Sequence, residues 1–147
     1  MTFLLDLNLL LALAWPSHVH RDIAHAWFQR EAAPRWATCP VTQLGFIRLS
    51  SNPAFTSDAV SPTEALSLLG GMTALEGHEF WSDDVDCASA ALAGGMRMTV
   101  HRQVTDACLL SLARAHAGCL ATLDRRMNRL LSLDERPNRH LRIVETG

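Results

Sequence analysis

Residues 3–16 read FLLDLNLLLALAWP, a strongly apolar run with one acid inside it. Leu4, Leu5, Leu9, Leu10, Leu11 and Leu13 gain free energy by leaving water, whereas an isolated ionised Asp6 loses it. Such a segment is expected in the core. Its carboxylate then needs a raised pKa, a hydrogen-bond partner or a metal ion. The uninterrupted apolar part, Leu9 to Trp15, is far too short to cross a bilayer. Ala12-Leu13-Ala14 has the form of a signal-peptide cleavage site, but no Lys or Arg precedes the run, and Asp6 and Asn8 interrupt it. The expectation is a cytoplasmic protein without a membrane segment.

A chain of 147 residues, 48% hydrophobic and 19% charged, is expected to form one globular domain over residues 1–147. The net charge of -2 gives no bulk attraction for nucleic acid. All 13 basic residues are Arg, the better bidentate ligand for phosphate. Cys39, Cys87, Cys108 and Cys119 form no C-x-x-C pair and sit in apolar neighbourhoods, as reduced, buried thiols do.

Strands are expected at residues 2–5, at WATCP (36–40), at HEFW (78–81), at CLATLD (119–124) and, as an edge strand, at LRIVE (141–145). Helices are expected from Leu9 to Ala14, from His18 to Ala32, from near Thr42, from Ser61 to about Leu75, from Asp86 to Ala93 and over 103–117. Ser61, Pro62 and Glu64 make a capping box, and Gly118 reads as a C-cap. Strands alternating with helices imply βαβ units, an α/β fold and a mostly parallel sheet. In such sheets ligands bind beyond the carboxyl ends of the strands.

Asp6 and Asp124 each directly follow an apolar strand, and Asp106, after Thr105, stands in the first turn of the strongest helix. Taken singly, each acid has a plain structural use. Asp6 and Asp124 can be N-caps, and Asp106 can complement the helix dipole. Together they fall on one sheet edge. At about 4 Å and an effective dielectric of about 20, each pair costs on the order of 4 kcal/mol. Neutralising Asp124 is therefore expected to stabilise the metal-free protein. A divalent cation reverses the sign of the interaction, and carboxylate and water oxygens select Mg²⁺ or Mn²⁺. The matching chemistry is phosphodiester hydrolysis by metal-activated water.

LLDLN at 4–8, VTDACLLSLARAHAG at 104–118 and LATLDRRM at 120–127 resemble the three signature segments of PIN domains. The layout over essentially the whole chain is similar to the VapC toxins of bacterial type II toxin–antitoxin pairs, and WATCPVTQLGFIRLSSNP at 36–53 resembles one subgroup of them. The resemblance implies a three-layer α/β/α sandwich, a metal-dependent ribonuclease, a homodimer and an antitoxin partner that blocks the site. Asp6, Asp106 and Asp124 match the family's metal-binding acids. Many PIN domains carry a Glu where this chain has Gln43, which can bond a water but supplies neither charge nor a base. Glu79, Asp83 and Asp84 are the remaining candidates for a fourth acid, though they follow a different strand. Asn8, Gln43 and Thr105 are candidates for positioning water or substrate, and Arg48, Arg102, Arg125 and Arg126 for contacts to RNA phosphates.

Two other classes compete. Gln43 is compatible with a catalytically inert PIN-like module that binds RNA or protein. An Asp after a strand also suits a phospho-acceptor domain, but no D-x-D-x-T motif follows the first strand and the chain has no Lys.

Overall fold

Alternating side chains in the short strands divide the molecule into layers. In the computed structural model, which describes residues 1–89, 95–136 and 138–147, the strands are β1 (Phe3–Leu5), β2 (Trp36–Thr38), β3 (His78–Phe80), β4 (Cys119–Thr122) and β5 (Leu141–Ile143). They form one sheet in the order β3-β2-β1-β4-β5, and every pairing is parallel. Leu5, Trp36 and Ala121 point to one face; Leu4, Ala37 and Leu120 point to the other. A strand buried on both faces must be apolar throughout, which is why these segments read as continuous hydrophobic runs.

The first face is covered by α1 (Leu7–Ala14), α2 (Arg21–Trp27), α3 (Pro40–Ser50) and α4 (Pro62–Thr73), through Leu9, Leu10, Ala24, Trp27, Phe46 and Leu69. The second is covered by α5 (Val104–Ala115), through Leu109, Leu110, Leu112 and Ala113. This is the expected α/β/α sandwich, with a sheet wholly rather than mostly parallel. No described helix is long and apolar enough to cross a membrane.

The chain winds from β1 outward to β2 and β3, then crosses the other face on α5 to place β4 beside β1. The winding reverses between β1 and β4, which makes their carboxyl ends the topological switch point and the natural ligand crevice.

Several boundaries differ from the sequence expectation for local reasons. α1 begins at Leu7, two residues before Leu9, because Asp6 caps it and accepts the Leu7 N–H at 2.7 Å. α3 begins at Pro40, since the Thr42 hydroxyl returns to accept the Cys39 N–H at 3.1 Å. The helix expected over His18–Ala32 is α2 followed by a wider π turn at Phe28–Ala32. The capping box at Ser61 forms as read, with Ser61 Oγ accepting the Glu64 N–H at 3.1 Å. At the end of α5 the left-handed residue is Ala117, with φ of 52°, rather than Gly118. Gly118 is needed for space instead: a Cβ there would stand 2.5 Å from the Trp81 ring and 2.8 Å from the Thr2 carbonyl oxygen. The helix expected over 86–93 is seen as helical at 87–89, and its remainder lies outside the described residues. Cys39 and Cys119 are buried as expected, whereas Cys87 and Cys108 are only half-buried.

Candidate active site

Asp6 leaves β1 at the switch point and is 7% exposed. Its Oδ1 accepts the Leu7 N–H at 2.7 Å, and its Oδ2 accepts the Thr122 hydroxyl at 2.7 Å. β1 and β4 pair Leu5 with Ala121, so the sheet register sets Asp6 beside Thr122. Thr122 Oγ1 in turn accepts Asn8 Nδ2 at 3.2 Å and the Asp124 N–H at 3.1 Å. One donor and two acceptor positions are thus all used on a fully buried hydroxyl. Asn8 Oδ1 completes the corner by accepting the Leu123 N–H at 3.2 Å. Asn8 therefore stitches α1 to the end of β4. Sequence reading missed Thr122; the available signal was a hydroxyl residue in an otherwise apolar strand, two positions before an acid.

Asp6 carries no cation partner among the described residues, and burial raises its carboxyl above the usual range. The Thr122 and Leu7 hydrogen bonds oppose that rise, and the charge of Asp124 adds to it. Asp106 stands in the first turn of α5, half-buried, and is pushed up to about 6. Burial is the main cause, followed by the charges of Asp6 and Asp124, with Arg126 pulling the other way. The three acids converge closely enough to feel one another's charge.

Asp124 is handled differently. Arg126 grips it as a fork, with Nε 2.9 Å from Oδ1 and an Nη 2.9 Å from Oδ2, and the Arg126 N–H also donates to Oδ1 at 2.9 Å. That guanidinium holds Asp124 below the usual carboxylate range, against the opposing effect of burial. The expectation that neutralising Asp124 stabilises the protein is therefore reversed. Asp106, not Asp124, is the carboxylate the fold keeps at a cost.

The other sequence candidates scatter. Gln43 turns its Nε2 to Thr38 Oγ1 at 2.9 Å, and Thr38 also bonds His78 at 2.8 Å. Thr105 is exposed on the first turn of α5. Arg48 is exposed eight residues beyond Pro40, about 12 Å along α3 from the sheet edge. Arg125 pairs with Glu145. Glu79 bonds Thr2, Arg35 and Trp81, and Asp84 faces His116 at the opposite end of α5 from Asp106. Arg102 and Arg126, with the unforeseen Arg129, line a cavity of about 460 Å³ that also touches Asp106 and Asp124.

Among the described residues, no three His, Cys, Asp or Glu side chains are gathered tightly enough to hold a metal ion together. The donor chemistry nevertheless fits a hard divalent cation. All three groups are carboxylates, they repel one another, and Asp106 is destabilised first by burial and then by its two neighbours, a charge penalty that a cation relieves. Both oxygens of Asp124 are taken up by the Arg126 fork.

No protein-family model matches the chain. Ribonuclease VapC39 of Mycobacterium tuberculosis is 42% identical over 124 residues, which is 84% of this chain and 89% of that protein. Ribonuclease VapC38 of the same organism is 42% identical over 121 residues, covering 82% of this chain and 84% of that one. Among solved structures, VapBC2 from Rickettsia felis, bound to a DNA fragment from its promoter, superposes over 99% of this chain and 100% of its own, with a TM-score of 0.63 at 14% identity.

Proposed function

The chain belongs to the VapC ribonuclease family, and from that premise we propose that Asp6, Asp106 and Asp124 are the acids with which it hydrolyses RNA phosphodiester bonds. The protein is the toxin of a type II toxin–antitoxin pair. The observation that carries the site assignment is the convergence of the three carboxylates at the switch point between β1 and β4.

Asp6, Asp106 and Asp124 would hold Mg²⁺ or Mn²⁺, which when bound lowers the pKa of a water molecule and offsets charge on the phosphate. The protein's own residues set the geometry. The Leu7 N–H and the Thr122 hydroxyl fix both oxygens of Asp6, so this carboxylate reaches the site already oriented. Asn8 ties α1 to the strand that delivers Asp124. Arg126 supplies positive charge beside Asp124, where an incoming RNA phosphate accumulates negative charge.

The partner is an antitoxin, and the protein acts as a homodimer in the cytoplasm. Supporting a protein partner, Leu44, Phe55, Leu66 and Leu68 are exposed on and between α3 and α4.

The test is to sequence RNA ends after exposing total RNA to the protein with Mg²⁺ or Mn²⁺, beside an Asp6→Asn control. The proposal expects new ends at defined positions with the wild type and none with the variant. Identical ends from both proteins would refute it.

A further inference from the structure

The cavity beside Asp106 and Asp124 lies between two short 3₁₀ turns, and residue spacing sorts their side chains. Arg125–Leu130, after β4, has three residues per turn, so side chains three apart eclipse. Met127 and Leu130 form one row, buried in the core, and present an apolar floor to the cavity. Arg126 and Arg129 form the next row, along the cavity wall. Arg125, on the third row, pairs with Glu145.

The opposite wall is the turn His101–Gln103, which leads into α5 and sets Arg102 one helical turn ahead of Asp106. Gln103 Oε1 accepts the Thr99 N–H at 2.7 Å and the Val100 N–H at 3.2 Å, which fixes the approach to that turn. Arg126 is committed to Asp124. Arg102 and Arg129 are exposed and, among the described residues, make neither a hydrogen bond nor an ion pair. Two exposed guanidinium groups, of which Arg129 also lends charge to Asp124 across the cavity, therefore face one space of about 460 Å³, within the roughly 300–1,000 Å³ of small-molecule sites. Planar guanidinium forks match phosphate oxygens, and the exposed Val100 beside them adds apolar surface.

We infer that this cavity is the subsite for the nucleotide adjoining the cleaved bond, with its phosphate between Arg102 and Arg129 and its nucleoside against Val100 and Met127. The inference rests on the RNA-cleavage reading and adds to it the residues that hold the substrate. Arg102 and Arg129 bind the substrate at a phosphate next to the one that is cleaved, so their loss falls on KM rather than kcat.

The experiment measures cleavage of an oligoribonucleotide over a salt series by the wild type, Arg102→Gln, Arg129→Gln and Arg129→Lys, with Arg30→Gln as a remote control. Each Gln variant is expected to raise KM about tenfold, the worth of one charge-assisted hydrogen bond, and to change kcat less than about twofold. Each should also flatten the slope of log(kcat/KM) against log salt by about 0.7. Arg129→Lys should keep most of the slope, and Arg30→Gln all of it. Unchanged KM and slope in both Gln variants, with an active wild type, overturn the subsite and leave the ribonuclease reading intact. A wild type that cleaves no RNA overturns both. A competition arm separates nucleotide from bare anion: a nucleoside monophosphate should inhibit more strongly than inorganic phosphate, and equal inhibition overturns the nucleotide assignment.

Discussion

At the β1–α1 corner, Asp6 is buried and both its oxygens are bonded to the fold, one to a helix N–H and one to the Thr122 hydroxyl. On the rim, Asp106 in the first turn of α5 and Asp124 after β4 are half-exposed, one destabilised mainly by burial and further by its neighbours' charges, the other gripped by Arg126. The same residue type is thus fixed by hydrogen bonds to the fold in one place and governed by partial burial and neighbouring charge in the other. A cluster of like charges can be assembled when one member is immobilised by the core and the others keep access to solvent and counter-ions. The corner fixes position, and the rim provides adjustment.

The largest effect should come from the corner. Asp6→Asn keeps the cap and much of the hydrogen bonding but loses the charge, so the protein should stay folded by circular dichroism while RNA cleavage disappears. Asp6→Glu should cost on the order of a hundredfold, because one methylene displaces a rigidly held carboxylate by about an ångström. Full activity in Asp6→Glu would mean that the corner is not rigid.

Thr122→Val should cost about 1–3 kcal/mol in denaturant unfolding, since it leaves Asn8 Nδ2 and the Asp124 N–H without their acceptor and Asp6 without a donor. Thr122→Ser should recover most of that. Equal losses in the two variants would assign Thr122 to packing alone.

On the rim, Asp106→Asn should stabilise the metal-free protein by about 1 kcal/mol at neutral pH, a figure discounted for partial exposure. A carboxyl raised from 3.8 to about 6 is penalised when ionised, so the gain is full above pH 6, shrinks as pH falls through 6 and vanishes below 3.8. Thermal melts of both proteins across that range check it; a gain independent of pH would remove the charge explanation. Smallest of all, Arg125→Ala should change stability by less than about 0.5 kcal/mol, because its pair with Glu145 is exposed.

The corner was legible in sequence because an acid inside an apolar run permits few environments. The five strands and the capped α4 followed from hydrophobic periodicity and a capping box. What stayed hidden depends on register or on contacts distant in sequence. That β4 lies beside β1 is a fact of topology, and the Thr122–Asp6 bond, spanning 116 residues, follows only from it. The Arg126–Arg129 row is sharpened by the 3₁₀ turn after β4, where residues three apart eclipse, whereas an α-helix would share the face above 126 between residues 129 and 130. The strain at Ala117 was masked because Gly118, the obvious left-handed residue, is used for close packing instead.

In the proposed mechanism, corner and rim together hold one metal ion. Calorimetric titration with Mn²⁺ of the wild type, Asp6→Asn and Asp106→Asn checks this. One ion should bind per chain in the wild type, and binding should weaken at least about tenfold in each variant, with folding retained. Mn²⁺ binding unchanged in either variant would contradict it, because the acid that had been replaced would not belong to the site.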